Sequence, residues 1–288
     1  MNLVKKILGG LYDVPIIRFG FELFFVILPI AFAVRTFVFG LYQVPSGSME
    51  TTLLVGERFF ADKLSYWFRK PQRNEIIAFN DPTYAYSKNP LLNLWERYGS
   101  WNVSNWTKRL IAIPGDTIKG VIEEGKPVVY LNGKKLDEPY VNKYPLVQIW
   151  KSSHSRCNNE ESPLELRSFD PSVSWQEQIF YKIDPSRLIL LPNREPIVVW
   201  PETPDRSNRD VFEQTLGSNE YWAMGDNRLG SLDSRMWKVL PGDLIHGRIV
   251  FRIWSIDSDV SWWIVDLIKN PINFWSKVRW SRCLQFVR

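Results

Sequence analysis

Apolar positions in this chain fall into one long run near the amino end and many short runs behind it. From Phe19 to Leu41 there are 23 residues with charges only at Glu22 and Arg35. As a helix rising about 1.5 Å per residue, this run reaches roughly 35 Å, enough to cross about 30 Å of hydrocarbon. A cleaved signal peptide is the competing reading, because Leu23–Val34 is free of charge and Ala31-Phe32-Ala33 resembles a cleavage site. Apolar character resumes at once in Thr36–Leu41, which favours a retained single-pass anchor. Pro29 is tolerated in membrane helices, and Arg35 can snorkel to the headgroups.

Behind the anchor, short β-type runs separated by turn residues predict strands at Arg58–Lys63, Glu75–Phe79, Lys108–Ile113, Val128–Leu131, Leu188–Leu191, Ile197–Trp200, Tyr221–Met224 and Arg248–Trp254. The Asn132-Gly133 pair predicts a type I′ hairpin. The exterior part therefore reads as all-β. Residues 81–106, crowded with Tyr and Trp, and 151–186, rich in Ser, Pro and charge, read as insertions.

The expected organisation is 1–18 as a cytoplasmic amino end, 19–41 as the membrane helix, 43–258 as a β-rich domain, and 259–288 as a basic, Trp-rich tail at the membrane interface. Lys5, Lys6 and Arg18 precede the span, whereas Arg58 alone lies within the next 17 residues. That bias keeps the amino end inside and puts the domain on the outer or periplasmic side of the cell membrane.

Composition narrows the function. With 45% hydrophobic and 23% charged residues the chain is globular rather than disordered. In residues 260–288 five bases stand against Asp266 alone, supplying +4 of the net +5. No basic stripe remains elsewhere for nucleic acid, and the 14 Trp point to membranes or peptides instead. Two Cys, at 157 and 283, exclude a cysteine scaffold; two His, at 154 and 246, leave little material for a metal site. No metal or other cofactor is expected.

Three segments carry chemistry. Val44-Pro45-Ser46-Gly47-Ser48-Met49-Glu50 is a tight turn able to present a hydroxyl, although Ser-Gly-Ser alone is more often only a loop. A serine needs a base, and neither histidine suits: His246 enters a strand and His154 lies in a polar insertion. A neutral lysine is the remaining choice. In Lys108–Ile113, period-two alternation puts Lys108, Leu110 and Ala112 on one face and Arg109 on the other. Burial on that face would lower the amine from about 10.4 toward about 7–8; a lysine with its amine in water is the plainer alternative. The third segment, Gly225 to Arg235, is dense in turn, carboxylate, hydroxyl and guanidinium groups. It reads either as a solvated loop or as a buttress in which Asp233 and Arg235 pair and Ser231 orients an amine.

In this order behind one anchor, these segments resemble type I signal peptidases, membrane-bound Ser-Lys endopeptidases that remove signal peptides from exported proteins. The resemblance rests on Arg35-Thr36-Phe37, Pro45–Leu53, Lys108–Asp116, Gly225–Arg235 and Gly247-Arg248. It implies a β fold shared with self-cleaving SOS repressors, Ser48 as nucleophile, Lys108 as general base, and the Ser46 hydroxyl with the Ser48 N–H as oxyanion hole. It further implies that Ser231 hydrogen-bonds the lysine, that Asp233 and Arg235 form a structural ion pair, and that Asp226 and Asn227 support the site. Cleavage after small residues (Ala-x-Ala) and preproteins as partners follow from the same likeness, while the Trp-rich basic tail makes membrane lipid a further expected partner, and a monomer is expected. Thr51 and Arg73-Asn74-Glu75 depart from the family's usual Pro and Arg-Gly-Asp. A sheddase with the same dyad and a silent peptide-binding module are the alternative readings.

Overall fold

The computed structural model describes residues 14–100, 102–150, 164–170, 172–173, 207–256, 263–269 and 271–287. The strands expected at Leu188–Leu191 and Ile197–Trp200, together with His154, Cys157 and most of the 151–186 insertion, lie outside these residues.

Helix α1 (Pro15–Phe37) is 23 residues long, apolar, and packs none of its most apolar stretch against the rest of the protein. Pro15 opens it, where a missing N–H costs nothing. Pro29 cannot donate to the turn before it, and a wider π turn at Leu23–Ile27 takes up the mismatch. Glu22 is paired with Arg18 at 2.9 Å, one turn away, which tempers the cost of a carboxylate near the bilayer.

The run expected to be a single span over 19–41 divides in two. The helix ends at Phe37, and Phe39–Gln43 form strand β1, pairing antiparallel with β2 (Arg58–Asp62) while Phe39 stacks on Phe60. An unbroken apolar run carries no mark of where a helix hands over to a strand. The β-domain therefore starts at Phe39.

The remaining strands are β3 (Ile76–Asn80), β4 (Asn105–Ala112), β5 (Thr117–Glu123), β6 (Lys126–Leu131), β7 (Lys134–Lys135), β8 (Leu146–Trp150), β9 (Leu164–Ser168), β10 (Phe212–Thr215), β11 (Glu220–Met224), β12 (Leu240–Pro241), β13 (Ile245–Trp254) and β14 (Gln285–Phe286). The main sheet runs β1-β2-β13-β3-β4-β11-β12, with β14 added to β13; β10-β5-β6-β7 form a second sheet and β8-β9 a separate pair. Every pairing among the described residues is antiparallel. The β6-β7 hairpin turns through Asn132 (φ 52°) and Gly133 (φ 77°), both positive as a type I′ turn needs.

Alternation sorts the main sheet into two apolar faces. Ile76 and Ala78 pack with Val44, Met49 and Leu53, whereas Ile77 and Phe79 pack with Leu110, Ala223 and Leu240. Ile111, Trp222 and Met224 join Ile118 and Val129 to fasten the second sheet to the first. Asn74 sits at φ 68°, a region that Asn enters more readily than most residues with a side chain, so the departure from Arg-Gly-Asp keeps the backbone it needs.

The 81–106 insertion holds helix α2 (Pro90–Tyr98), capped by the Asn89 side chain, which accepts the Leu91 and Leu92 N–H groups. Leu91, Leu94 and Trp95 of α2 are exposed, and Phe37 at the end of α1 meets Trp67 and Tyr98 at 5.8 and 6.1 Å between ring centroids. Trp106, by contrast, belongs to β4 and packs inward against Trp237.

The basic tail does more than the interfacial role expected of it, because its arginines turn inward. Arg282 reaches the fully buried Glu57 at 2.6 Å and the Thr52 carbonyl at 3.0 Å; Arg252 of β13 donates to the same carbonyl at 2.8 Å and stands 3.1 Å from Glu57. Arg279 donates to the Val55 carbonyl at 3.2 Å. The tail thus clamps the segment after Ser48. Its apolar side chains Ile268, Ile272 and Trp280 remain exposed. Cys283 Sγ approaches the Arg279 and Ser255 carbonyls, at 3.6 and 3.9 Å. Arg282→Ala should cost roughly 3 kcal/mol, the order for removing one partner of a buried ion cluster. Denaturant unfolding of the full chain measures this, and an unchanged midpoint would count against the clamp.

Candidate active site

Ser48 lies in the short 3₁₀ turn Gly47–Met49 that follows β1, and only 8% of it is exposed. Lys108 sits on β4 opposite Ile77, on the face it shares with Leu110, and is 5% exposed. Sixty positions apart in sequence, their Nζ and Oγ atoms stand 2.8 Å apart. The amine also donates to the Thr107 carbonyl at 3.2 Å and lies 5.7 Å from the Trp106 ring centre.

Burial drives the Lys108 amine down to about 8, although Asp233 and Asp226 pull the other way. At neutral pH a useful fraction is then free base, able to accept the serine proton. The folded chain binds fewer protons here than the unfolded one between about 8 and 10.5. Stability therefore rises with pH across that window, and below it the residue costs roughly 3 kcal/mol.

Neighbours hold the turn from both sides. Asn227 donates its N–H to the Ser48 carbonyl at 3.1 Å and its Nδ2 to the Gly47 carbonyl at 2.9 Å. Asp226 accepts both Arg109 Nε (2.9 Å) and Nη2 (2.8 Å), and also Thr52 Oγ1 (2.5 Å). Arg109, on the opposite face from Lys108, is stacked 4.1 Å from the Tyr140 ring centre. Thr52 thus meets Asp226 through its hydroxyl and the tail arginine through its carbonyl.

Asp233 accepts Arg235 Nε at 2.9 Å, Arg235 Nη2 at 2.8 Å and the Gly225 N–H at 3.0 Å. Burial works against its charge, but Arg235 and that N–H outweigh it and hold the carboxyl below its usual range. Arg235 also binds Asp210 at 2.6 Å and the Arg228 carbonyl at 2.8 Å.

One expected contact is not made. Among the described residues Ser231 makes no hydrogen bond to Lys108; its buried hydroxyl lies near Asp233, outside good hydrogen-bond geometry. Ser46 is exposed, with extended backbone and no capping bond from its side chain. His246 is engaged elsewhere, with Tyr42 Oη at 3.3 Å from Nδ1 and Asn105 Oδ1 at 2.8 Å from Nε2, and burial holds it neutral, at about 3.

Several supports carry no signal that sequence reasoning could use. Glu50, fully buried, accepts the Ser168 N–H (3.1 Å) and hydroxyl (2.7 Å), and Ser168 lies in a stretch read as an insertion. No local pattern marks it. Gly225 was legible only as a turn residue, yet a Cβ there would meet Ser231 Oγ at 2.2 Å and the Ser48 carbonyl oxygen at 2.4 Å.

A hydroxyl set against a buried, readily neutralised amine on an antiparallel β scaffold is the equipment of a serine hydrolase whose base is lysine. The chain belongs to the family described as "Signal peptidase, peptidase S26", which matches residues 17–254. It is therefore a serine endopeptidase of that family. Signal peptidase I of Buchnera aphidicola subsp. Baizongia pistaciae is 28% identical over 259 residues, covering 81% of this chain and 75% of that protein. Signal peptidase I of Aquifex aeolicus is 28% identical over 242 residues (81% and 82%), and the probable signal peptidase I-2 of Synechocystis is 27% identical over 227 (79% and 68%). A crystal structure of a signal peptidase I from Enterococcus faecalis aligns at 23% identity over 62% of this chain and 97% of that one, with a TM-score of 0.28. The family match stops at residue 254, so Arg279 and Arg282 lie beyond it.

Gly225→Ala should push the Ser48 backbone off the amine and lower kcat on a peptide substrate by about a hundredfold, the usual penalty for a misplacement near 1 Å. Activity within about twofold of the parent would show that the close approach is not needed.

Proposed function

We propose that the protein removes signal peptides from exported preproteins at the membrane, with Ser48 as nucleophile and Lys108 as general base. The 2.8 Å contact between Lys108 Nζ and Ser48 Oγ, in a buried setting, is the observation that carries this reading. Ser48 Oγ attacks the scissile carbonyl carbon while its proton passes to neutral Lys108. Collapse of the tetrahedral adduct breaks the C–N bond, and the ammonium returns that proton to the leaving amine. Water, deprotonated by Lys108, then attacks the acyl ester and releases Ser48.

The Ser48 N–H and Ser46 hydroxyl are the donors for the oxyanion, worth about 3–4 kcal/mol in the transition state. Ser46 is exposed and directly precedes the turn that carries Ser48. Asn227 fixes the turn that carries both groups. Asp226 with Arg109, and Asp233 with Arg235, are positioning pairs that brace the loop behind the amine.

Helix α1 anchors the chain. Lys5, Lys6 and Arg18 before the span keep the amino end in the cytoplasm and leave the β-domain outside. The exposed apolar face of α2, beside Phe37, rests against lipid, and the exposed apolar residues of the tail add to that contact.

Cleavage of a preprotein whose signal peptide ends in Ala-x-Ala tests the roles directly. Ser48→Ala and Lys108→Ala should each lose about three orders of magnitude or more, and turnover retained by either refutes the assignment. For the intact enzyme kcat/KM should rise with pH and level off above an apparent pKa of about 8, as Lys108 sheds its proton. A profile flat or falling between about pH 6 and 9 would exclude lysine as the base.

A further inference from the structure

Between the end of α1, strand β1, and the chain around α2 lies a cavity of about 180 Å³, well above the roughly 15 Å³ that one water needs. Neither Ser48 nor Lys108 lines it. Phe32, Arg35 and Thr36 of α1 form part of its wall, so it opens where the span leaves the hydrocarbon.

One of its cations, Lys63, lacks a carboxylate partner among the described residues. Lys63, just after β2, donates from Nζ to the Thr36 carbonyl at 3.3 Å and, among the described residues, has no carboxylate within salt-bridge reach. Burial, with Arg35 adding like charge, lowers its amine to about 8. Arg97 also lines the space, its nearest carboxylate being Asp243 at 3.8 Å. Glu96, the one acid among the described lining residues, accepts the Ser87 N–H at 2.8 Å. His246 contributes no charge, since burial and the nearby Lys63 hold it neutral. Half-open apolar groups stand at the mouth: Phe32 is 48%, Leu41 67% and Tyr98 40% exposed.

A ligand that fits must bring an anion to Lys63 and apolar substance to Phe32 and Leu41, at the depth of the headgroups. We propose that this cavity binds the phosphate of an anionic glycerophospholipid, with Lys63 and Arg35 as its cationic partners. A phosphate there supplies the counter-charge that Lys63 lacks, and charge-assisted hydrogen bonds to a partly buried amine are strong. The inference rests on α1 spanning the bilayer as proposed above.

The full chain in detergent is titrated with dihexanoyl-phosphatidylglycerol, dihexanoyl-phosphatidylcholine and inorganic phosphate, and bound ligand is counted by native mass spectrometry. Phosphatidylglycerol should bind about tenfold more tightly than either comparator. Lys63→Gln should remove that preference, and Lys63→Arg should keep it. Equal binding by the parent and Lys63→Gln overturns the site; inorganic phosphate binding as tightly as the lipid overturns the lipid assignment. Should Lys63→Gln fail to unfold cooperatively without lipid, Arg35→Gln carries the same expected loss. Preprotein cleavage in phosphatidylcholine alone, measured in parallel, separates failure of this site from failure of the peptidase reading.

Discussion

A lysine amine kept dry against a serine hydroxyl is the constraint around which this domain is built. An ammonium in an apolar crevice is unstable, so the fold either neutralises it or supplies counter-charge. Here both carboxylates near it are committed to arginines: Asp226 to Arg109 and Asp233 to Arg235. They moderate the field at Lys108 without forming an ion pair with it, and the amine stays within reach of neutrality. Had either carboxylate bonded the amine directly, the lysine would remain cationic and useless as a base.

The same arrangement explains why the site draws on so many segments. Ser48 arrives on a turn from the anchor side of the sheet, Lys108 on a strand, and the Gly225–Arg235 loop closes over both. The tail adds a fourth contribution, from beyond the residues that the family model matches, where Arg282 joins Arg252 of β13 on the Thr52 carbonyl. Thr52 also bonds Asp226, so the clamp and the buttress meet at one residue.

Chemistry with a local signature was legible before any coordinates. Alternation along β4 placed Lys108 with Leu110 and sent Arg109 to the other face, and the Asn132-Gly133 turn announced its hairpin. What escaped depends on long-range pairing. Phe39–Leu41 read as helix because hydrophobicity alone cannot separate a membrane span from an edge strand that continues it. The tail arginines read as lipid-facing because nothing local announces that Glu57 is buried and awaits them. Ser231, placed against the lysine by likeness alone, has its hydroxyl beside Asp233 instead.

The proposed mechanism turns on Lys108 being able to work as a neutral amine. Site-resolved NMR titration of the lysine side chains, with Lys108→Arg as the assignment control, measures this most directly. An apparent pKa of about 8 for Lys108 is the expected result. A value at or above the ordinary lysine range, about 10.4, would contradict it.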